Sequence, residues 1–458
     1  MERNRELAKD VIIYGIGNIG NKFLMLLLFP VLLFFMEREE LGAYDIPLEV
    51  VLFLLPVVTL QMRESVFRLL VDNKDESYRR HIISGTLCIE GLMFTIVLLV
   101  AVLLSFFLTI RYFHLIILSI YAYSIYEIYL QAVRSVYSSK HFMLLNIINS
   151  MLIIGMIVLF FFVFKRGVEG LFWGNILARF ISIAILEIPR RKIVSVISFH
   201  AVRKMYMKEI LTYSIPLLWS AIAFAFINSS GKFIVNYLYG DEYSGILAAA
   251  QKYMVILLTF GASFFQAWQV TAVKNYRKQG SEKFFSEVFN KYTSVLCLLV
   301  LCISFGLRAF KTLLIGPEFY QIIDFIFIYC VSAMFLCLAQ FFEIIYQCTK
   351  QTAKVLTSIV SCAVIAPLLS FVLIKHFGVM GNLITLTLSY AYLSIFRYFQ
   401  TKSALPVRIN KDFILSFILL TAGGIIFYGS YNRIADFAVL AIATLLLLYY
   451  FLIIKKYV

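Results

Sequence analysis

The sequence predicts an all-α, polytopic membrane protein, and three observations carry that prediction. Hydrophobic residues make up 62% of the 458 positions and charged ones only 15%, too little polar surface to coat a soluble globule. The apolar residues gather in runs of about twenty or more, and at ~1.5 Å per residue each run can cross the ~30 Å hydrocarbon core of a bilayer. The runs also lack the alternation of a transmembrane barrel, so helices are left to satisfy the backbone in lipid.

About fourteen spans follow from this rhythm. The first, 10–36, opens after a polar stretch; it is too long for a signal peptide and has no small-residue cleavage site. Within it, Gly15-Ile16-Gly17-Asn18-Ile19-Gly20 spells a dinucleotide fingerprint. That fingerprint functions only after a strand in a βαβ unit, so here the small residues serve helix bending or close helix approach. The second, third and fourth spans are 43–70, 81–107 and 111–134, the fourth crowded with Tyr121, Tyr123, Tyr126 and Tyr129. The fifth and sixth, 143–165 and 168–189, meet at a short turn and lead into a basic connector, 190–208. A second series runs 209–237, 243–273, 286–308, 321–346, 354–376 and 379–400, and the spans 411–431 and 435–454 close the chain. Pro30, Pro56, Pro216 and Pro367 each remove a backbone donor within a span and are expected to kink it.

The distribution of charge orients these spans. With the N-terminus in the cytoplasm, the outer connectors hold only Arg38, Arg111, Lys165, Arg166, Arg308, Lys311, Lys375 and Arg433. Most of the other basic residues, out of 41 in all, fall on the inner side, as the positive-inside rule requires. Both termini are therefore expected in the cytoplasm, and the net charge of +15 needs no nucleic acid to explain it. No connector is long enough to fold alone, which argues against enzymes that need an extra-membrane catalytic domain. The cysteines (Cys88, Cys297, Cys302, Cys330, Cys337, Cys348, Cys362) lie in or at the ends of apolar runs without metal-ligand spacing. No metal or cofactor is expected.

An internal repeat divides the chain. Phe164-Lys165-Arg166-Gly167-Val168-Glu169-Gly170 resembles Ile374-Lys375-His376-Phe377-Gly378-Val379-Met380-Gly381, each between the fifth and sixth spans of its series. Lys9-Asp10 before Tyr14-Gly15-Ile16 likewise resembles Lys208-Glu209 before Tyr213-Ser214-Ile215. This predicts a lobe at 1–189, a linker at 190–208, a matching lobe at 209–400 and two added helices at 401–458, with the lobes facing each other across a cleft as in an alternating-access transporter.

The intramembrane charges supply the candidate site. Lys22, Arg179, Lys232 and Lys252 would each cost ~2.5–3.5 kcal/mol facing lipid, so they must face water or a partner. Arg63 and Arg68 sit at the inner end of the second span. A cleft lined by these cations would hold an anion, with arginine offering a fork to phosphate and lysine a point charge. Glu90, Glu127 and Glu343, in inner halves of other spans, are candidates for ion coupling.

At these residues the chain resembles the lipid-linked oligosaccharide flippases of the O-antigen and capsule type, in the multidrug/oligosaccharidyl-lipid/polysaccharide exporter superfamily. The resemblance covers nearly the whole chain. It rests on Gln61-Met62-Arg63-Glu64-Ser65-Val66-Phe67-Arg68, on Gln131-Ala132-Val133-Arg134 followed by Lys140, on Tyr213-Ser214-Ile215-Pro216, on Asn228-Ser229-Ser230-Gly231-Lys232-Phe233-Ile234 before Gly240, and on the paired Gly-Val-x-Gly turns. One departure is Gly231 before Lys232, where the family often has an acidic-basic pair. The resemblance implies a polyprenyl-pyrophosphate oligosaccharide as cargo, its diphosphate meeting Lys22, Lys232 and Lys252 with Arg63 or Arg68 at the inner mouth. It also implies the bacterial cytoplasmic membrane, with polysaccharide polymerase machinery as a partner. Two other readings stand beside it: a cation-coupled drug antiporter of the same superfamily, with the acids lining the cavity, and a membrane-embedded polymerase or ligase, against which the short outer connectors speak.

Overall fold

The computed structural model describes residues 28–73, 75–349, 351 and 353–457. Among them there is no strand, and thirteen helices are long and apolar enough to cross a membrane. The end of the first predicted span forms α1, residues 28–35; the rest of that span, with Lys22, lies outside the described residues.

The predicted second span is broken in two. α2 (Arg38–Thr59) carries the crossing length, and α3 (Met62–Asp72) is a short amphipathic helix after a turn in which Leu60 and Gln61 both take left-handed backbone angles. Two consecutive residues at positive φ cannot continue a right-handed helix. α4 (Glu76–Ser105) starts on Asp75, whose carboxylate caps Tyr78 N, and exposes Leu92, Leu99 and Leu103 along its apolar length. α5 (Phe113–Val136), α6 (Ser139–Ile157) and α7 (Gly167–Arg190) follow. α8 (Lys204–Tyr239) and α9 (Asp241–Asn275) are unusually long, and α8 continues as helix through Pro216. α10 (Ser281–Ala309), the single turn α11 (Lys311–Leu314), α12 (Ile323–Cys348), α13 (Ala353–Phe377), α14 (Val379–Thr401), α15 (Lys411–Gly429) and α16 (Arg433–Tyr457) complete the chain.

These helices form two compact units, divided within helices rather than in a connector. The first takes Ala43–Ser229, so it owns α3 to α7 with most of α2 and α8. The second takes Phe29–Gly42 and the chain from Ser230 onward.

In the first unit α5 is the central post, packed by α3, α6 and α7. Met62, Val66, Ile82, Tyr129, Val133 and Leu186 close around it. The connector after α7 belongs to this core: Ile193 and Val196 are buried with it. Glu187 fixes the connector's path by accepting from Tyr129 Oη (2.9 Å), Tyr137 Oη (3.0 Å), Ile193 N (3.2 Å) and Val194 N (3.1 Å). Tyr137 lies between α5 and α6, and burial, together with its bond to Glu187, pushes its hydroxyl up to about 12. It therefore stays a donor at any cellular pH.

In the second unit the buried post is α12, with α9, α10 and α14 around it. Trp268, Tyr292 and Phe341 stack through its interior. α15 and α16 both pack on α10.

The repeated turn carries a glycine at positive φ in each unit. Gly167 and Gly378 take φ of 52° and 59°, angles that cost a side chain dearly. Three residues on, Gly170 lies against the Phe160 backbone, where a Cβ would come to 3.0 Å, and a Cβ on Gly381 would overlap the Leu373 carbonyl. The two halves thus share a hairpin in which the first glycine makes the turn and the second lets the helices touch.

Candidate functional site

Charge in the first unit is concentrated on the helices around α5. Arg63 reaches from α3 to Glu64 (3.4 Å) and to Glu127 of α5 (3.5 Å), and its side chain is 40% exposed. Both distances exceed the ~2.7–2.9 Å of a strong charge-assisted bond. Arg63 Nε makes no hydrogen bond among the described residues although it is screened from water. Arg63 is thus a held but exchangeable cation.

Arg179 of α7 is built differently. It is buried, donates to the Asn175 carbonyl (2.7 Å) and to Asn175 Oδ1 (3.2 Å), and lies over the Tyr123 ring at 3.3 Å. Tyr123 Oη donates to Asn175 Oδ1 (3.3 Å), and Asn175 Nδ2 donates to Tyr44 Oη (3.0 Å). A cation desolvated this way is held by dipoles and a ring face. Arg68 is exposed at the end of α3, stacked over Tyr213 at 5.0 Å and donating to its hydroxyl at 3.3 Å.

The same unit also buries acids. Glu90 of α4 is buried beside Ser124, and its Oε1 has no hydrogen-bond partner among the described residues. Glu49 of α2, not singled out from sequence, is buried and accepts from Ser229 Oγ at 2.6 Å. Asp45, one turn earlier, is buried as well.

The remaining predicted residues belong to the second unit. Lys232 of α8 is buried, 3% exposed, one position after Gly231, where a Cβ would overlap the Asn382 side chain. At Gly231, where the family often has a charged partner, the space of a side chain is taken by the Asn382 amide of α14. Lys252 of α9 lies 5.8 Å from the Phe29 ring centre, and Phe29 in turn meets Tyr253 edge-on. Glu343 of α12 receives Arg397 at 2.8 Å. Lys22 lies outside the described residues.

The structure thus brings Arg63 and Glu127 together, with Arg179 on the neighbouring α7, and it sets Arg68 at the rim of α3. Sequence reasoning missed Asn175 and Tyr44. The four-residue spacing of Asn175 and Arg179, which puts them on one helix face, was the available signal.

The sequence profile described as "Polysaccharide biosynthesis protein" matches residues 7–269, more than half the chain. The chain belongs to this family. Its fold is that of the multidrug/oligosaccharidyl-lipid/polysaccharide exporters. The lipid II flippase MurJ, in an inward closed conformation, superposes over 97% of this chain and 99% of its own, with a TM-score of 0.69 and 16% identity. A MATE-family multidrug resistance transporter in an inward-facing conformation covers 90% of this chain and 99% of its own at 0.61 and 12%. An outward-facing MATE transporter covers 91% and 96% at 0.58 and 14%. No curated protein sequence matches the chain. Family and fold together make this protein a membrane flippase or transporter and not an enzyme.

Proposed function

We propose that this protein moves polyprenyl-pyrophosphate-linked oligosaccharide repeat units across the bacterial cytoplasmic membrane by alternating access, for surface polysaccharide such as O-antigen, capsule or exopolysaccharide. Both termini are cytoplasmic in this reading, and the delivered units feed the polysaccharide polymerase machinery. The observation that carries it is Arg63. This partly exposed guanidinium meets two carboxylates only at 3.4 and 3.5 Å, longer than a strong charge-assisted bond. A diphosphate oxygen is a stronger acceptor for such a fork than a shared, distant carboxylate. Arg179, Lys232 and Lys252 add positive charge on other helices, Arg68 can meet the headgroup first, and the lipid tail stays in the bilayer throughout.

The test is export of surface polymer in cells that depend on this protein. Neutral substitutions of Arg63, Lys232 and Lys252 should each cut export about tenfold or more, since a hydrogen bond to a charged group contributes ~1.5–3 kcal/mol. Undiminished export by all three, at normal protein level, would overturn the assignment.

A second reading is favoured by a different observation: Glu90, buried with one oxygen unpartnered among the described residues, is placed to take up a proton or cation as in a coupled antiporter. If Glu90→Gln abolishes a proton or sodium requirement for drug efflux while polymer export persists, the antiporter reading wins.

A further inference from the structure

The connector between α7 and α8 is folded, and its two faces differ. One face is fastened to the first unit: Ile193, Val196 and Ala201 are buried, Glu187 holds two of its amides, Ser198 N donates to Ser84 Oγ (3.0 Å), and the Ala201 carbonyl meets His81 Nδ1 (2.6 Å). The other face carries Ile188 (71% exposed), Val194 (51%), Ile197 (40%) and Met205 (66%). Interleaved with them are Arg190, Arg191, Arg203 and Lys204, all exposed. Lys192 lies over the Tyr137 ring at 5.4 Å.

We propose that residues 188–205 form a docking surface for anionic phospholipid headgroups, with Val194 and Ile197 dipping among the lipids and the four flanking cations resting on phosphates. Two features decide the occupant. The segment joins the ends of two crossing helices, so it lies at the level of a headgroup layer and not in open water. Its exposed Val194 and Ile197 are flanked on both sides by clusters of cations, which matches a phosphate layer over hydrocarbon and not a dry protein groove. The rigid attachment means that the lipid does not have to order the segment when it binds. The leaflet, the cytoplasmic one, rests on the orientation in the proposed function; the lipid contact does not.

The test places full-length protein in nanodiscs whose two leaflets are identical. A bimane label on Val194→Cys, with the unsubstituted protein as background, reports quenching by nitroxide-labelled phosphatidylglycerol or phosphatidylcholine. Each cation near an anionic surface favours it by about fivefold, so quenching by phosphatidylglycerol should be several-fold stronger. Replacing Arg190, Arg191, Arg203 and Lys204 by Gln should remove the preference and leave residual quenching. Should that variant fail to fold, Arg190→Gln with Arg191→Gln alone should halve the preference or more. A label unquenched by either lipid, equal quenching by both, or a preference that survives the charge removal overturns the proposal. A Ser195→Cys label that reacts only from outside intact cells would instead overturn the orientation and leave the lipid contact standing.

Discussion

Arg397 of α14 donates to Glu343 of α12 at 2.8 Å, and the same guanidinium donates to the Ala339 carbonyl and Ser358 Oγ, both at 3.0 Å. Its side chain is 2% exposed. Three elements are therefore tied through one buried cation, in contrast to the loosely held Arg63. Arg397→Ala leaves Glu343 and two further acceptors without their donor, and removing one partner of a buried pair costs ~3–5 kcal/mol. Glu343→Gln keeps an acceptor for Arg397 and should cost less. Thermal unfolding in detergent should rank them in that order. Equal and small effects would show that the pair is incidental.

That pair also marks where sequence reading stops. Span count, helical class and the repeated Gly-Val-x-Gly turn were legible because hydrophobic length and glycine backbone angles are local properties. Arg397 lies near the end of its apolar run, where it counts among the inner-side charges, and nothing in one dimension says that α12 and Ser358 close over it. The 43–70 run read as one span for a similar reason: apolar residues continue through Leu60 and Gln61, and only the left-handed backbone there ends the helix. Within the site, the charged residues stood out by their cost in lipid. Asn175 and Tyr44, which hold Arg179 in place, carry no such cost and stayed silent.

Arg63 and Glu127 should behave as an exchanging couple. If the diphosphate displaces Glu127 from Arg63, Glu127→Gln removes the competitor and should tighten substrate while slowing release. In reconstituted vesicles KM and the maximal rate should then fall together, each about tenfold or less. Arg63→Gln should instead raise KM. A Glu127→Gln variant that raises KM would mean that Glu127 contacts the cargo itself.

Gly42 and Gly245 should not tolerate a side chain. A Cβ on Gly42 would overlap the Asp241 carbonyl, and one on Gly245 would overlap the Arg38 carbonyl. Arg38 secures this crossing by donating to Glu242 and Gln321 (3.3 Å each) and to the Glu318 carbonyl. Since backbone atoms line the contact, alanine at either position forces α2 and α9 apart, at a cost of ~1–3 kcal/mol. Ser244, fully buried beside Gly42, is the reporter. A Ser244→Cys thiol should react several-fold faster with an aqueous reagent in the Gly42→Ala background. An unchanged rate would show that the crossing opens elsewhere.

The last two helices should depend on one arginine. Arg308, at the end of α10, pairs with Asp436 of α16, donates to the Phe427 carbonyl at the end of α15, and lies 4.4 Å from the Phe427 ring centre. Both charged side chains are almost wholly enclosed. Elsewhere the contact is tight and only lightly polar: Gly423 of α15 leaves room only for Leu301, Gly424 packs on Phe327, Ser416 Oγ meets Ser294 Oγ at 2.7 Å, and Tyr428 Oη donates to the Asp324 carbonyl at 2.9 Å. Since lipid is as apolar as most of this interface, hydrophobic burial does little to hold α15 and α16 on α10, and the enclosed ion pair is the charged part of a polar attachment. Arg308→Ala strands Asp436 in a low-dielectric site and should release the pair as a mobile hairpin. Limited proteolysis in the 402–410 connector should then accelerate by about an order of magnitude or more, given the ~3–5 kcal/mol cost of a broken buried pair. The double variant Arg308→Leu with Asp436→Leu should recover much of the protection, because removing both charges also removes the desolvation penalty. If both variants cut at the wild-type rate, helix packing alone holds these two helices in place.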